Sequence, residues 1–166
     1  MALSVLLRIL SFFRRTELNL EEFIRRQDII YVGGGNTANL LAVWRLHGLD
    51  RVLRKAYVEG TVLSGISAGA ACWFESCLTD SFGRLEALND GLGILPGSFC
   101  PHFNTEPGRP RSFLQTLQSG TLPPGVALDD GAAVRYCNEA VDVVYRSMGN
   151  AGLYNQTTKG ICAVEL

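Results

Sequence analysis

The chain has 166 residues, of which 47% are hydrophobic and 19% are charged, and its formal net charge is −1. This balance is typical of a soluble globular protein and predicts neither nucleic acid nor an anionic membrane as a partner. The length predicts one domain over residues 1–166, with enough chain to bury a substantial core.

The first 15 residues, MALSVLLRILSFFRR, form an apolar run that Arg8 interrupts. The run has no small-residue cleavage site and is shorter than the about 20 residues that cross a bilayer. We expect it to form a helix or strand of the domain rather than a targeting or membrane-surface segment.

Helical and strand patterns alternate through the first half of the chain. In chain order we first predict a helix over residues 18–26 with Asn19 as its cap, and a buried strand over residues 29–32 that runs into three glycines. A helix from Thr37 to Gly48 follows, and then an amphipathic helix that ends at Gly60. We next predict a strand in TVLSG and a helix that begins in SAGAACWFESC.

The second half is richer in strand patterns. We predict a short strand in the loop-like GLGILPGSFCPHFN, a helix in PRSFLQTLQSG closed by Gly120, two β-rich segments separated by Asn138 and Glu139, and a final hairpin. The βαβ order predicts an α/β fold, a three-layer α/β/α sandwich around a mainly parallel sheet.

Five scattered cysteines form no CxxC pair: Cys72, Cys77, Cys100, Cys137 and Cys162. Their odd number argues against a disulfide framework, and with only two histidines the sequence predicts no structural zinc site. We expect no metal and no cofactor, and buried free thiols in a cytoplasmic protein.

Ser67 lies between two glycines in GISAG, with a predicted strand before it and a helix after it. This context matches the G-x-S-x-G turn, in which the backbone projects a serine hydroxyl over the end of a sheet. The sequence therefore predicts a nucleophile at Ser67, although a buried small-residue turn can show the same letters.

A serine hydroxyl needs a base, and the chain has two histidines. His47 ends a predicted helix, where a structural role is expected, whereas His102 lies in a loop after a strand. An acid must orient the base, and Asp129, Asp130 and Asp80 are all candidates at this point.

The glycine turn GGGNT would end the strand beside the one that leads to Ser67. We nominate the amides of Gly35 and Ala68 as donors to an oxyanion, and we expect Asn36 to contact the substrate. A dinucleotide or phosphate loop is the competing interpretation, but neither the G-x-G-x-x-G spacing nor a Walker lysine is present.

Together YVGGGNT, GISAGA and CPHFN resemble the serine-peptidase family of dipeptidase E and cyanophycinase. The resemblance covers about residues 28–146 and implies a fold similar to class I glutamine amidotransferases. It implies Ser67 as nucleophile, His102 as general base and the Gly35 and Ala68 amides as oxyanion hole. It favours Asp130 as the third member and leaves Asp80 as the alternative acid.

The resemblance further implies hydrolysis of short peptides, with Asp-X dipeptides as one substrate class. An aspartyl side chain requires a cation, and Arg109 and Arg111 could provide it. Cleavage of Asp-Arg polymers, as by cyanophycinase, is an alternative, and so is a catalytically inactive remnant that acts as a binding protein.

Members of this family carry a further strand-helix unit before the segment that resembles IIYVGGG, so the chain looks short at its N-terminus. Either VLLRILSFF is a remnant strand or the unit is absent. A missing strand would expose apolar sheet surface, from which we expect a homodimer, poor solubility or an inactive molecule.

Overall fold

The structure is a computed structural model, and it describes residues 6–12, 15, 17–147, 149, 151–157 and 160–164. The described helices are α1 (Leu20–Arg25), α2 (Thr37–His47), α3 (Leu49–Val58), α4 (Ala68–Ala71) and α5 (Arg109–Gln118). The described strands are β1 (Ile29–Val32), β2 (Val62–Gly65), β3 (Phe74–Thr79), β4 (Glu86–Leu88), β5 (Leu95–Cys100), β6 (Gly125–Leu128), β7 (Ala132–Cys137), β8 (Ala140–Arg146), β9 (Leu153–Thr157) and β10 (Gly160–Ala163).

The described strands pair in three groups. β1 and β2 are parallel, with Ile29 opposite Val62. Six strands form a sheet in the order β10-β9-β6-β5-β3-β4, in which β3, β5 and β6 are parallel and the flanking pairs are antiparallel. β7 and β8 form a hairpin whose turn residues, Asn138 and Glu139, both have positive φ. The predicted α/β class, with parallel strands at the centre of the sheet, is confirmed.

The apolar stripes of the helices bury against one another and against the sheets. Leu41 and Trp44 of α2 and Leu53 of α3 are at most 7% exposed and belong to one cluster with residues of α1. Phe113 and Leu117 of α5 are fully buried against β3, β5 and β6. Since each such side chain contributes about 1.5–3 kcal/mol on burial, these stripes hold the helices to the strands that carry the site.

The predicted helix boundaries are confirmed where local chemistry sets them. The side chain of Asn19 accepts a hydrogen bond from the Glu22 amide at 3.0 Å and caps α1. Gly48 adopts a left-handed φ of 72° and separates α2 from α3.

Two predicted elements differ from the structure. The helix expected in SAGAACWFESC is a single turn, α4, and the chain then enters β3, which pairs with both β4 and β5. These tertiary pairings override the helical spacing of the segment. The element expected in VLLRILSFF is absent from residues 6–12, where Leu10 and Phe12 pack on the core without regular structure. The other residues of that run lie outside the described residues.

The cysteines divide into two groups. Cys72, Cys77 and Cys100 are buried, and burial raises the pKa of Cys77 and of Cys100 to about 12. Cys137 and Cys162 are exposed, so the expectation of buried thiols is wrong for these two. Burial alternates along β7, and Cys137 falls on the exposed face of that strand.

Candidate active site

Four strands bring their carboxyl ends to the candidate site. The glycine turn follows β1, Ser67 follows β2, His102 follows β5 and Asp130 follows β6. β1 is parallel to β2, and β5 is parallel to β6. Polar groups at such strand ends meet at one edge of an α/β fold, where ligands commonly bind.

Ser67 occupies a sharp turn between β2 and α4. Its backbone, at φ 53° and ψ −117°, lies in a region that residues other than glycine rarely adopt. A Cβ on Gly65 would lie 2.1 Å from the carbonyl oxygen of Gly69, and a Cβ on Gly69 would lie 2.2 Å from that of Val32. The turn therefore requires glycine on both sides of the serine.

Three side chains form a continuous chain of hydrogen bonds. Oγ of Ser67 lies 2.9 Å from Nε2 of His102, and Nδ1 of His102 lies 2.5 Å from Oδ1 of Asp130. With the proton on Nδ1 donated to Asp130, Nε2 accepts the hydrogen of the serine hydroxyl. The arrangement places a base within reach of a nucleophile and an acid behind the base.

The loop after β5 holds His102 in place. His102 has a positive φ of 54°, and its carbonyl oxygen accepts the amides of Thr105 at 3.3 Å and Glu106 at 3.0 Å. The next residue, Phe103, donates its amide to the carbonyl of Leu128 at the end of β6. These bonds compensate a backbone conformation that is unfavourable by itself.

Of the two acids that the resemblance left open, Asp130 is the one that contacts His102. Asp80 lies 3.9 Å from Nη2 of Arg109 and makes no contact with His102 within the described residues. Partial burial alone raises the pKa of Asp130, but hydrogen bonds from Thr105 and His102 and the charge of Arg109 outweigh it. The pKa of Asp130 therefore lies below its usual value, which keeps the carboxylate ionised beside the imidazole.

Asp129, the neighbour of Asp130, has a different set of partners. It is 7% exposed, and its carboxylate accepts the amide of Asn104 at 3.0 Å, the amide of Gly152 at 3.0 Å and the hydroxyl of Tyr154 at 2.9 Å. Asp129 thus ties the histidine loop and β9 to the end of β6. The pair Asp129-Asp130 was visible in the sequence, but no local pattern indicates the partners at 152 and 154.

The nominated oxyanion donors lie beside the serine. Ala68 follows Ser67 directly, and a Cβ on Gly34 would lie 4.0 Å from Oγ of Ser67, so the glycine turn passes close to the hydroxyl. Gly35 has a φ of 139°, which glycine adopts without strain. Within the described part of the chain, neither the Gly35 amide nor the Ala68 amide donates to another group. Both amides therefore have no hydrogen-bond acceptor in that part of the chain.

Three residues were expected from the sequence to bind substrate: Asn36, Arg109 and Arg111. Asn36 caps α2 through the Asn39 amide at 2.9 Å and donates to the carbonyl of Ser81 at 2.9 Å. Arg109 is 3% exposed and donates to Glu106 at 2.5 Å, whereas Arg111 is exposed. Neither arginine lines the groove that opens on Ser67.

A groove of about 1030 Å³ opens on Ser67 and His102. β2 forms one wall, the β7–β8 hairpin forms another, and Trp73, Phe74 and Phe99 also line it. A hydrogen bond of 2.5 Å from the Tyr57 hydroxyl to Glu139 links α3 to the hairpin turn. This volume is at the upper end of the range usual for small-molecule pockets, so the groove can hold a ligand larger than two amino acids.

Among the described residues, no group of three or more His, Cys, Asp and Glu side chains is placed to hold a metal ion. None of the described helices combines the length and the apolar character that a membrane crossing needs.

Comparison with known proteins connects this geometry to a family. The model of peptidase family S51 matches residues 1–144. Over 145 residues the chain is 46% identical to an uncharacterized peptidase, YgaJ, of Bacillus subtilis (strain 168). This alignment covers 87% of this chain and 63% of the relative. It is 31% identical over 120 residues to peptidase E of Shewanella sp. (strain W3-18-1), which covers 67% of this chain and 51% of the relative. The chain thus spans between about half and two thirds of the length of these relatives.

Proposed function

The chain belongs to peptidase family S51, and on that basis we propose that it is a serine peptidase that hydrolyses short peptides through Ser67, His102 and Asp130. The observation that carries the proposal is the unbroken path of hydrogen bonds from the Ser67 hydroxyl through the His102 imidazole to the Asp130 carboxylate. A lone serine in a glycine turn would not need such a path, whereas acyl transfer does.

In the proposed reaction, Oγ of Ser67 attacks the carbonyl carbon of a peptide bond while Nε2 of His102 takes its proton. The amides of Gly35 and Ala68 donate to the oxyanion, and loss of one such donor typically costs about 3 kcal/mol of transition-state stabilisation. The C–N bond then breaks, and His102 returns the proton to the leaving amine. Water, deprotonated by His102, hydrolyses the ester and restores the serine.

Asp-X dipeptides are the first substrates to test, and their side-chain carboxylate requires a cation. Arg111 is exposed near the start of α5, while Arg135 lines the groove and is paired with Asp142. Replacing each of these two arginines in turn by glutamine tests which of them binds the side-chain carboxylate of the substrate. A rise in KM for Asp-X confined to Arg111→Gln supports Arg111, one of the two arginines nominated from the sequence.

The proposed function is tested with Ser67→Ala and a fluorophosphonate probe, which modifies only an activated serine. Ser119→Ala serves as the matched control, because Ser119 lies at the end of α5 and its hydroxyl bonds only local groups. We expect labelling and peptide hydrolysis in the parent and in the control, and neither in Ser67→Ala. Equal labelling or equal hydrolysis by the parent and Ser67→Ala would rule out the triad, and no labelling of a folded parent would favour a binding protein.

We also propose that the chain is one catalytic domain that functions in the cytoplasm and forms a homodimer. Free cysteines support a reducing compartment. Ile29 and Tyr31 of β1 and Val62 of β2 are more than half exposed, which leaves an apolar surface on this two-stranded sheet. A second copy of the chain would bury that surface, including Tyr31 and Val62, which also line the groove.

A further inference from the structure

We propose that the groove beside Ser67 binds an extended peptide as an added strand on the free edge of β2, so that peptides longer than a dipeptide bind more tightly than dipeptides do. The inference rests on the proposed function, because the groove matters only if Ser67 acts on what lies in it. Beyond the proposed function, it specifies that the bound peptide is extended and that peptides longer than a dipeptide are preferred.

The free edge follows from the hydrogen bonds of β2. The amide of Val62 donates to Asp28 at 3.0 Å and the amide of Ile66 donates to Val32 at 3.1 Å, so both point towards β1. Because backbone groups alternate along a strand, those of Leu63 and Gly65 point to the opposite edge. Within the described part of the chain no strand pairs with that edge, and neither amide donates to any group.

The strand that carries this edge lines the groove. Every residue from 60 to 67 lines the groove, and all four residues of β2 are among them. Leu63 and Gly65 are both partly buried. Partly buried backbone groups without partners gain most from a ligand that carries backbone groups of its own, and an extended peptide is such a ligand.

The distance from this edge to the nucleophile sets the length of the peptide. Four residues separate Leu63 from Ser67, which corresponds to at most about 13 Å along an extended chain. A dipeptide spans only about 7 Å. An extended peptide that runs beside β2 from Leu63 to Ser67 is therefore about four residues long.

The walls of the groove suit alternating side chains. Phe99 and Tyr136 also line the groove, and the Tyr136 hydroxyl is buried with no hydrogen-bond partner among the described residues. An added strand directs successive side chains to opposite faces, so every second residue of the peptide would meet this apolar wall. We therefore expect the groove to bind peptides with apolar residues at alternate positions most tightly.

The test separates binding from catalysis by using the Ser67→Ala variant of the full chain. A fluorescein-labelled octapeptide with alternating Val and Thr is titrated with this variant, and fluorescence anisotropy gives the Kd. Two further sets of peptides carry N-methyl groups at the odd or at the even backbone nitrogens. N-methylation removes a backbone donor and leaves the side chains unchanged.

One N-methyl set should weaken binding by about tenfold or more, since two backbone hydrogen bonds are lost, while the other should stay within about twofold of the parent peptide. A labelled Val-Thr dipeptide should bind at least about tenfold more weakly than the octapeptide, since it cannot reach Leu63. Equal effects of the two sets, no effect of either, or no binding of the octapeptide would overturn strand addition. Those outcomes would instead indicate that β7 closes on β2 itself.

Fluorophosphonate labelling of the unmodified chain is measured in parallel, so the two proposals fail separately. Labelling of Ser67 without N-methyl discrimination keeps the peptidase and rejects the added strand. N-methyl discrimination without labelling keeps the peptide groove and rejects the triad.

Discussion

At the residue scale, the site combines two residues that have strained backbone conformations with a hydrogen bond between His102 and Asp130. Ser67 and His102 both have positive φ, at 53° and 54°, although neither is glycine. Such conformations persist only where surrounding contacts determine them, and they are common at active sites. Asp130 contributes differently, because its role depends on the 2.5 Å contact with Nδ1 of His102.

The contact between Asp130 and His102 predicts the effect of two matched substitutions. Asp130→Asn removes the charge that stabilises the imidazolium, and we expect kcat to fall by about 10⁴-fold. Asp80→Asn keeps the His102 contact, so kcat should fall by less than about tenfold. Peptide hydrolysis followed by chromatography measures both. A larger loss in Asp80→Asn would assign the relay to Asp80 instead.

The lowered pKa of Asp130 predicts how stability changes with pH. The folded pKa lies below the unfolded value of about 3.9, so the ionised carboxylate contributes stability above that value. The contribution is lost as the pH falls through the folded pKa. Urea unfolding of the parent and of Asp130→Asn should show a constant difference above about pH 5 that shrinks below about pH 4. A difference that grows on acidification would contradict the sign.

At the element scale, the turn between β2 and α4 depends on close backbone packing. A Cβ on Gly69 would lie 2.2 Å from the carbonyl oxygen of Val32, and backbone cannot move aside as a side chain can. We expect Gly69→Ala to lower the free energy of unfolding by about 3 kcal/mol or more, and to abolish labelling of Ser67. Gly33→Ala is the matched control, because a Cβ there meets nothing within 4 Å. Similar urea midpoints for the two variants would refute the packing argument.

The loop that carries His102 is joined to two strands by Asp129. Asp129→Asn replaces a carboxylate that accepts three hydrogen bonds by an amide that can accept fewer, so we expect about 1–3 kcal/mol of lost stability. We also expect kcat to fall while KM changes little, because the loop shifts relative to Asp130. Tyr154→Phe removes one of the three donors and should give a smaller loss of both. An Asp129→Asn enzyme with full kcat would show that Asp129 serves stability alone.

At the scale of the whole molecule, the exposed face of β1 and β2 is the feature that most departs from a closed α/β core. Ile29 and Tyr31 are 65% and 66% exposed, next to Val62 at 56%. Large apolar side chains grouped in this way commonly mark an interface. The chain also spans only 63% of the length of its relative from Bacillus subtilis. Peptidase activity is therefore proposed for this chain and is tested by the experiments above.

The proposed homodimer predicts a response to a single charge on that face. Ile29→Lys places a cation among apolar neighbours and leaves the groove unchanged, since Ile29 does not line it. We expect sedimentation velocity to show a dimer for the parent and a monomer for Ile29→Lys. Leu46→Lys is the matched control, because Leu46 is 81% exposed on α2. Equal sedimentation of parent and Ile29→Lys would exclude this face as the interface.

The elements that the sequence predicted well are those set by local chemistry. β1, β2, α2 and α5 carry regular apolar spacing and end at glycine or capping residues, and each is found where expected. The helix predicted in SAGAACWFESC is found as α4 but ends after one turn, and the strand β3 was not predicted, because the pairing of β3 with β4 and β5 joins segments that share no local pattern. Residues 6–12 of the N-terminal run also lack the expected helix or strand, since apolar content alone does not supply a strand partner.

For the candidate site, the sequence alone determined the nucleophile turn and the histidine, because GISAG requires glycine backbones around Ser67 and because the chain offers only two imidazoles. Only the tertiary structure shows that Asp130 contacts His102 and Asp80 does not, and only it revealed the bonds of Asp129 and the open edge of β2. Ser67 and His102 are 35 residues apart, and His102 and Asp130 are 28 apart. Contacts over such separations depend on how strands align in space, which residue spacing along the chain does not encode.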